Sequence, residues 1–148
     1  MRTLLIGTDP YKIFDIWGIE IHNSPNNYEI LMLYIDDSPL GICDKLCREA
    51  IIAQKRHDLF RLGKEVGIKK IANLDISKYG VNVERLSIQL KLYITIGGIR
   101  KIWFHSLPDI FELLLNSMIK KFNVEIAKCD TQIDIEYRKK LNSLMIGK

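Results

Sequence analysis

Along this chain, short apolar runs alternate with longer stretches in which apolar residues recur every three or four positions. Residues 3–7 (TLLIG) and 28–35 (YEILMLYI) are nearly continuous apolar runs, the pattern of strands buried on both faces. Residues 68–74, 101–105 and 124–129 read as three further strands. Helical spacing runs through 44–66, 83–96, 108–121 and 135–145. In 44–66 the expected apolar stripe is Ile51, Ile52, Ala53, Leu59, Leu62 and Val66, with Gly67 as the C-terminal cap. In 83–96, Val83, Leu86, Leu90 and Tyr93 share a face, and the helix stops at Gly97 and Gly98. Pro108 suits a first helical turn. Residues 12–21 read as a helix or an irregular turn interrupted at Gly18. Ser24, Pro25, Asn26 and Asn27 mark a loop, and residues 36–41 are turn-rich.

Strand and helix alternate five times. That predicts the α/β class: a Rossmann-like three-layer sandwich, with a mainly parallel sheet of about five strands and helices on both faces. Such sheets place their chemistry in loops at the carboxyl ends of the strands. The length of 148 residues is expected to form a single domain, 1–148.

Composition narrows the partners. With 47% hydrophobic and 27% charged residues the chain is an ordinary globular one. No apolar run approaches the ~18 residues of a membrane span. No signal region precedes the first strand, and three sparse cysteines, Cys43, Cys47 and Cys129, fit reduced thiols, so a cytoplasmic setting is expected. The net charge of +4 permits an anionic partner. The lysine pairs at 69–70, 120–121 and 139–140 lack interleaved aromatics, so nucleic acid is not indicated. His22, His57 and His105 show no paired metal spacing, and neither a Gly-rich phosphate loop nor a Ser/His/Asp set is apparent in the spacing.

The candidate chemistry lies in two loops, each following a predicted strand. One reads Thr8-Asp9-Pro10-Tyr11-Lys12, the other His105-Ser106-Leu107-Pro108-Asp109-Ile110. They resemble the two zinc motifs, HPDDE and HPDH, of the PIG-L/LmbE-type de-N-acetylases. Further echoes come in the family's order: Trp17-Gly18, Asp36-Asp37-Ser38, Lys55-Arg56-His57-Asp58 with Val66-Gly67-Ile68, Leu74-Asp75, and Ile133-Asp134-Ile135 before a lysine-rich helix. The resemblance covers essentially the whole chain.

In the enzymes of that family, zinc is held by the His and second Asp of HPDDE and the last His of HPDH, while the first Asp serves as general base. Three ligands and an open position let zinc activate water and polarise an amide carbonyl. By this resemblance Asp9 stands at the first ligand His, Tyr11 at the base and Lys12 at the ligand Asp. Leu107 and Ile110 stand at the two histidines of HPDH. A phenol is a poor base at neutral pH, an ammonium repels a divalent cation and Ile110 has no lone pair. Only Pro10, Pro108 and Asp109 match.

The resemblance therefore implies a catalytically degenerate homologue of zinc-dependent N-acetylglucosaminyl de-N-acetylases. It would keep the fold and a cleft for a sugar or nucleotide-sugar ligand, or for a partner protein, with no metal and no cofactor expected. The degenerate catalytic positions are Asp9, Tyr11, Lys12 and Asp109. The expected ligand-binding residues are Asp9, Lys12, Asp36, Asp37, Arg56 and His105. Lys12 is expected either to pair with Asp109 or Asp9 or to hold an anion. His105 is expected to bond a neighbouring carbonyl. Arg56 would line the pocket or pair with Asp58, and Trp17 would stack on a ligand or sit in the core. Two rivals stand beside this reading. One is an atypical metal-dependent de-N-acetylase with a site rebuilt from Asp9, Asp36, Asp37 and His105. The other is a regulatory or assembly protein acting through its surface, with homo-oligomers common in the family.

Overall fold

A computed structural model of the chain describes residues 2–35, 42–75 and 83–146. The elements run β1 (Arg2–Gly7), α1 (Pro10–Asn23), a 3-10 turn (Pro25–Asn27), β2 (Tyr28–Tyr34), α2 (Ile42–Val66), β3 (Ile71–Asp75), α3 (Val83–Thr95), β4 (Ile99–Phe104), α4 (Asp109–Lys121), β5 (Glu125–Lys128) and α5 (Gln132–Ile146). The strands form one sheet in the order β3-β2-β1-β4-β5, and every pairing is parallel. The fold is a Rossmann-like α/β sandwich of three layers.

Period-two alternation along β1 explains the layers. Leu4 and Ile6 pack with Leu86 and Leu90 of α3 and Phe111 and Leu115 of α4. Leu5 points the other way, into a second core with Ile13, Ile16 and Trp17 of α1, Leu59 of α2 and Ile135 of α5. The central strands β1 and β2 are the two apolar runs of the sequence, and β4 is buried along Ile102, Trp103 and Phe104. The edge strands β3 and β5 are shorter and less buried.

Two local expectations are corrected. Gly18 does not interrupt α1, which is one helix from Pro10 to Asn23. A Cβ at Gly18 would meet nothing within 4 Å, so the glycine occupies roomy helix surface, where it lowers propensity without breaking the hydrogen-bond ladder. The apolar stripe of α2 is also narrower than expected. Leu59 is buried and Ile52, Leu62 and Val66 are half-buried, but Ile51 is 57% exposed and Ala53 is exposed. Successive helical residues point about 100° apart, so three neighbours in a row cannot share one face. The expected cap at Gly67 is present. Its φ is +85°, its N–H donates to the Lys64 carbonyl at 3.3 Å, and the Ile68 N–H donates to Gly63 at 3.0 Å. That is a Schellman closure, which needs a left-handed residue.

One buried carboxylate ties two helices together. Glu20 is 4% exposed, and its Oε1 accepts from Gln132 Nε2 at 3.0 Å and Lys139 Nζ at 3.1 Å, joining α1 to α5. Among the described residues no helix is long and apolar enough to cross a membrane.

Candidate functional site

The chain leaves β1 for β2 on one side and returns to β4 on the other. The carboxyl ends of β1 and β4 therefore splay their loops apart, and a crevice opens there in sheets of this type. Both candidate loops sit at this point.

In the first loop, Asp9 has extended backbone (φ −138°, ψ 120°), and its Oδ1 accepts from the Tyr11 N–H at 3.0 Å. Asp9 is thus the N-cap of α1, with Pro10 in the first turn. One oxygen of this carboxylate is thus given to the helix start. Tyr11 is 54% exposed, and its hydroxyl accepts from Arg61 of α2 at 3.4 Å. With Asp9, Lys12, Phe14, Asp15 and Leu62, it lines a groove of about 320 Å³ between α1 and α2. Among the described residues Lys12 forms no ion pair, so the expected pairing with Asp9 or Asp109 is not made, and its ammonium stands free at the groove.

In the second loop, Leu107 is 6% exposed and belongs to the α3–α4 core, so its place is one of packing. Ile110 is 56% exposed and Asp109 opens α4 at the surface. Acidic residues suit a helix's first turn, and Asp109 and Glu112 both lie there. Glu112 Oε1 accepts from Lys128 Nζ at 3.3 Å across to β5.

His105 differs most from expectation. It is 9% exposed, and its main chain extends the sheet, with its N–H donating to Ile6 at 3.1 Å. Its ring does not bond a carbonyl. Nδ1 lies 3.1 Å from Asp130 Oδ1, and Nε2 lies 3.0 Å from Ser106 Oγ. Ser106 is exposed and has a left-handed backbone, φ +49°. Asp130 is held in place from behind. Asp134 Oδ2 accepts from the N–H groups of Asp130 (2.9 Å) and Thr131 (3.0 Å), and Thr131 Oγ1 accepts from the Asp134 N–H at 3.3 Å. This is a capping box at the start of α5. The bond from the Asp130 N–H is the main reason the Asp134 carboxyl is held below its ordinary value.

The Ser106–His105–Asp130 chain is not legible from spacing, since Asp130 lies 25 residues beyond His105. Only the sheet order reveals it. Phe104 pairs with Lys128, so the residues just past β4 and β5 are brought side by side.

Arg56 does not pair with Asp58. Its guanidinium lies over the Tyr34 ring, 5.3 Å from the centroid, while Asp58 is bound by Gln54 at 3.1 Å and Arg61 at 3.7 Å. Tyr34 in turn donates to Asn73 Oδ1 at 2.5 Å. Burial pushes the Tyr34 hydroxyl above its ordinary value, and Arg56 opposes the shift. Beside them Arg48 and Asp75 pair at 2.9 Å. The carboxyl ends of β2 and β3 thus carry their own polar cluster. Trp17 is fully buried and takes the core role, not the stacking one. Asp36 and Asp37 lie outside the described residues.

The structure thus brings His105 together with Ser106 and Asp130 at the carboxyl ends of β4 and β5. Lys12 and Tyr11 lie on the α1–α2 groove and Arg56 on Tyr34. Among the described residues no group of three His, Cys, Asp or Glu side chains is placed to hold a metal. No family model matches the chain, and no curated protein matches it.

Proposed function

We propose that this chain is a zinc-free relative of the PIG-L/LmbE-type de-N-acetylases, acting in the cytoplasm, whose loops at the carboxyl edge bind a sugar-like ligand. The observation behind it is what the motif positions now do. Asp9 caps α1, Leu107 is in the core, Ile110 is exposed, and Tyr11 and Lys12 line a groove. Of these positions, the Lys12 ammonium and the Ile110 side chain have no lone pair to give a metal. What remains is a groove with carboxylates at Asp9 and Asp15, a phenol at Tyr11 and, at Lys12, an ammonium without an ion pair among the described residues. Carboxylates accept from sugar hydroxyls and an ammonium attracts phosphate, so a nucleotide sugar satisfies both.

Titration calorimetry with UDP-N-acetylglucosamine, and separately with N-acetylglucosamine, tests this. The nucleotide sugar is expected to bind more tightly, and Lys12→Ala to weaken it about 10-fold, the loss of one charge-assisted contact. Absence of binding heat for both, or a Lys12→Ala variant that binds equally well, would remove the proposal.

One observation favours a partner protein or a second copy as well. Ile133, Tyr137, Leu141 and Leu144 recur at helical spacing along α5, and each is at least 40% exposed. A contiguous exposed apolar stripe marks an interaction surface. Sedimentation velocity is expected to show self-association that Tyr137→Glu abolishes; a monomer at every concentration would count against a second copy.

A further inference from the structure

We propose that Ser106, His105 and Asp130 form a metal-independent acyl-transfer site that cleaves carboxylic esters. This goes beyond the sugar-binding reading and does not depend on which ligand the α1–α2 groove takes.

Three features carry it. The first is the hydrogen-bond order. Ser106 is an exposed residue whose Oγ lies 3.0 Å from His105 Nε2, and Asp130 Oδ1 lies 3.1 Å from Nδ1. Nucleophile, base and orienting carboxylate are thus each within hydrogen-bond reach. A carboxylate only accepts, so Asp130 selects the tautomer with its proton on Nδ1. That leaves the Nε2 lone pair to take the serine proton. The second is the backbone. Ser106 sits between the end of β4 and the start of α4 with φ +49°, a costly conformation for a residue with a side chain. A strained strand-to-helix turn presenting a serine at the carboxyl edge of a sheet is how several hydrolases expose their nucleophile, although the flanking glycines of that motif are absent here. The third is the helix after it. No side chain caps α4, where Pro108 holds the cap position. The N–H groups of an uncapped helix start are donors suited to an oxygen gaining negative charge.

The chemistry balances with water as the only co-reactant. Ser106 Oγ bonds to the ester carbonyl carbon while His105 Nε2 takes the hydroxyl proton. The C–O bond to the alcohol breaks, and the alcohol leaves with the proton from Nε2. Water then attacks the acyl-serine, again giving a proton to Nε2. The carboxylic acid departs and Ser106 regains its hydrogen. Ser106 is exposed and Asp130 is half-exposed, so the site is open to water. Such a site suits O-acyl groups, whose alkoxide leaves more readily than an amine. Ser106 and His105 are the catalytic residues, and Asp130 is a positioning residue.

The test uses the intact chain with p-nitrophenyl acetate and a fluorophosphonate as probes. Ser106→Gly removes the hydroxyl and relieves the left-handed backbone, so it is expected to fold at least as stably as the parent. The parent should take one phosphonate per chain, mapped to Ser106, and turn over the ester at least 100-fold faster than Ser106→Gly. Asp130→Asn should lower kcat with KM little changed, a split that a merely structural latch between β4 and β5 would not produce. A phosphonate absent from Ser106, or equal turnover by parent and Ser106→Gly, would overturn the assignment and leave the three residues as that latch.

Discussion

Trp17→Ala is expected to lower the stability of the fold by about 3–5 kcal/mol, the usual cost of deleting a large aromatic from a core. Trp17 lies mid-way along α1 with no exposed surface, packed in the cluster that contains Leu5, Ile13, Ile30, Trp103 and Ile135. That cluster joins α1, α2 and α5 to one face of the sheet, so a void there loosens three helices together. Small domains are stable by about 5–15 kcal/mol, so the variant would lose a large share of the total. The loss is one of packing alone. Among the described residues the indole Nε1 is buried and makes no hydrogen bond. Trp17→Phe, which keeps most of the volume and removes an unpaired donor, is therefore expected to cost less than half as much. Urea unfolding reads both, as a fall in midpoint at unchanged slope. Equal midpoints for parent and Trp17→Ala would mean that α1 is not seated as described.

Raising the pH above 9 is expected to destabilise the fold steadily. Burial pushes the Cys129 thiol up to about 11 from its ordinary 9.0, with Arg138 opposing. Burial, and then the Glu20 charge, push the Tyr28 hydroxyl up to about 12 from 10.0. In both cases the folded state holds its proton more tightly than the unfolded chain. The stabilisation is fully present below the unfolded value. It declines as the unfolded chain begins to ionise and is gone once pH passes the folded value. For fully buried Cys129 the window is pH 9 to 11, and two units correspond to about 3 kcal/mol. Tyr28 is partly exposed, so its share is smaller. Urea midpoints at pH 8, 9, 10 and 11 should fall progressively, and the fall should be shallower in Cys129→Ala. A midpoint constant to pH 11 would contradict this burial of the thiol.

The layers of the fold are legible in the sequence because β1 and β2 are buried on both faces, and such strands are written as nearly continuous apolar runs. Gly67 is legible because a left-handed helix stop favours glycine. The partners of polar side chains are not legible. Nearness in sequence matches Arg56 with Asp58, yet Arg56 rests on Tyr34, which a neighbouring strand presents to it. An ion pair in place of a metal is the expectation for Lys12. The Asp9 carboxylate, however, is taken by the Tyr11 N–H, one of the free donors that every helix start offers. The Ser106–His105–Asp130 chain depends on β5 lying next to β4. Strand adjacency is a property of topology, and no local pattern encodes it.

Central to the proposed function is that the two motif loops have given up zinc for other tasks. Metal content of the purified chain after zinc exposure and dialysis, read with the thermal midpoint, tests that most directly. The expected result is no stoichiometric zinc and an unchanged midpoint, since Lys12 and Ile110 offer no lone pair to a metal and no group of three ligands is gathered among the described residues. One zinc held per chain, with a raised midpoint that Asp9→Ala or His105→Ala abolishes, would contradict it and restore a rebuilt metal site.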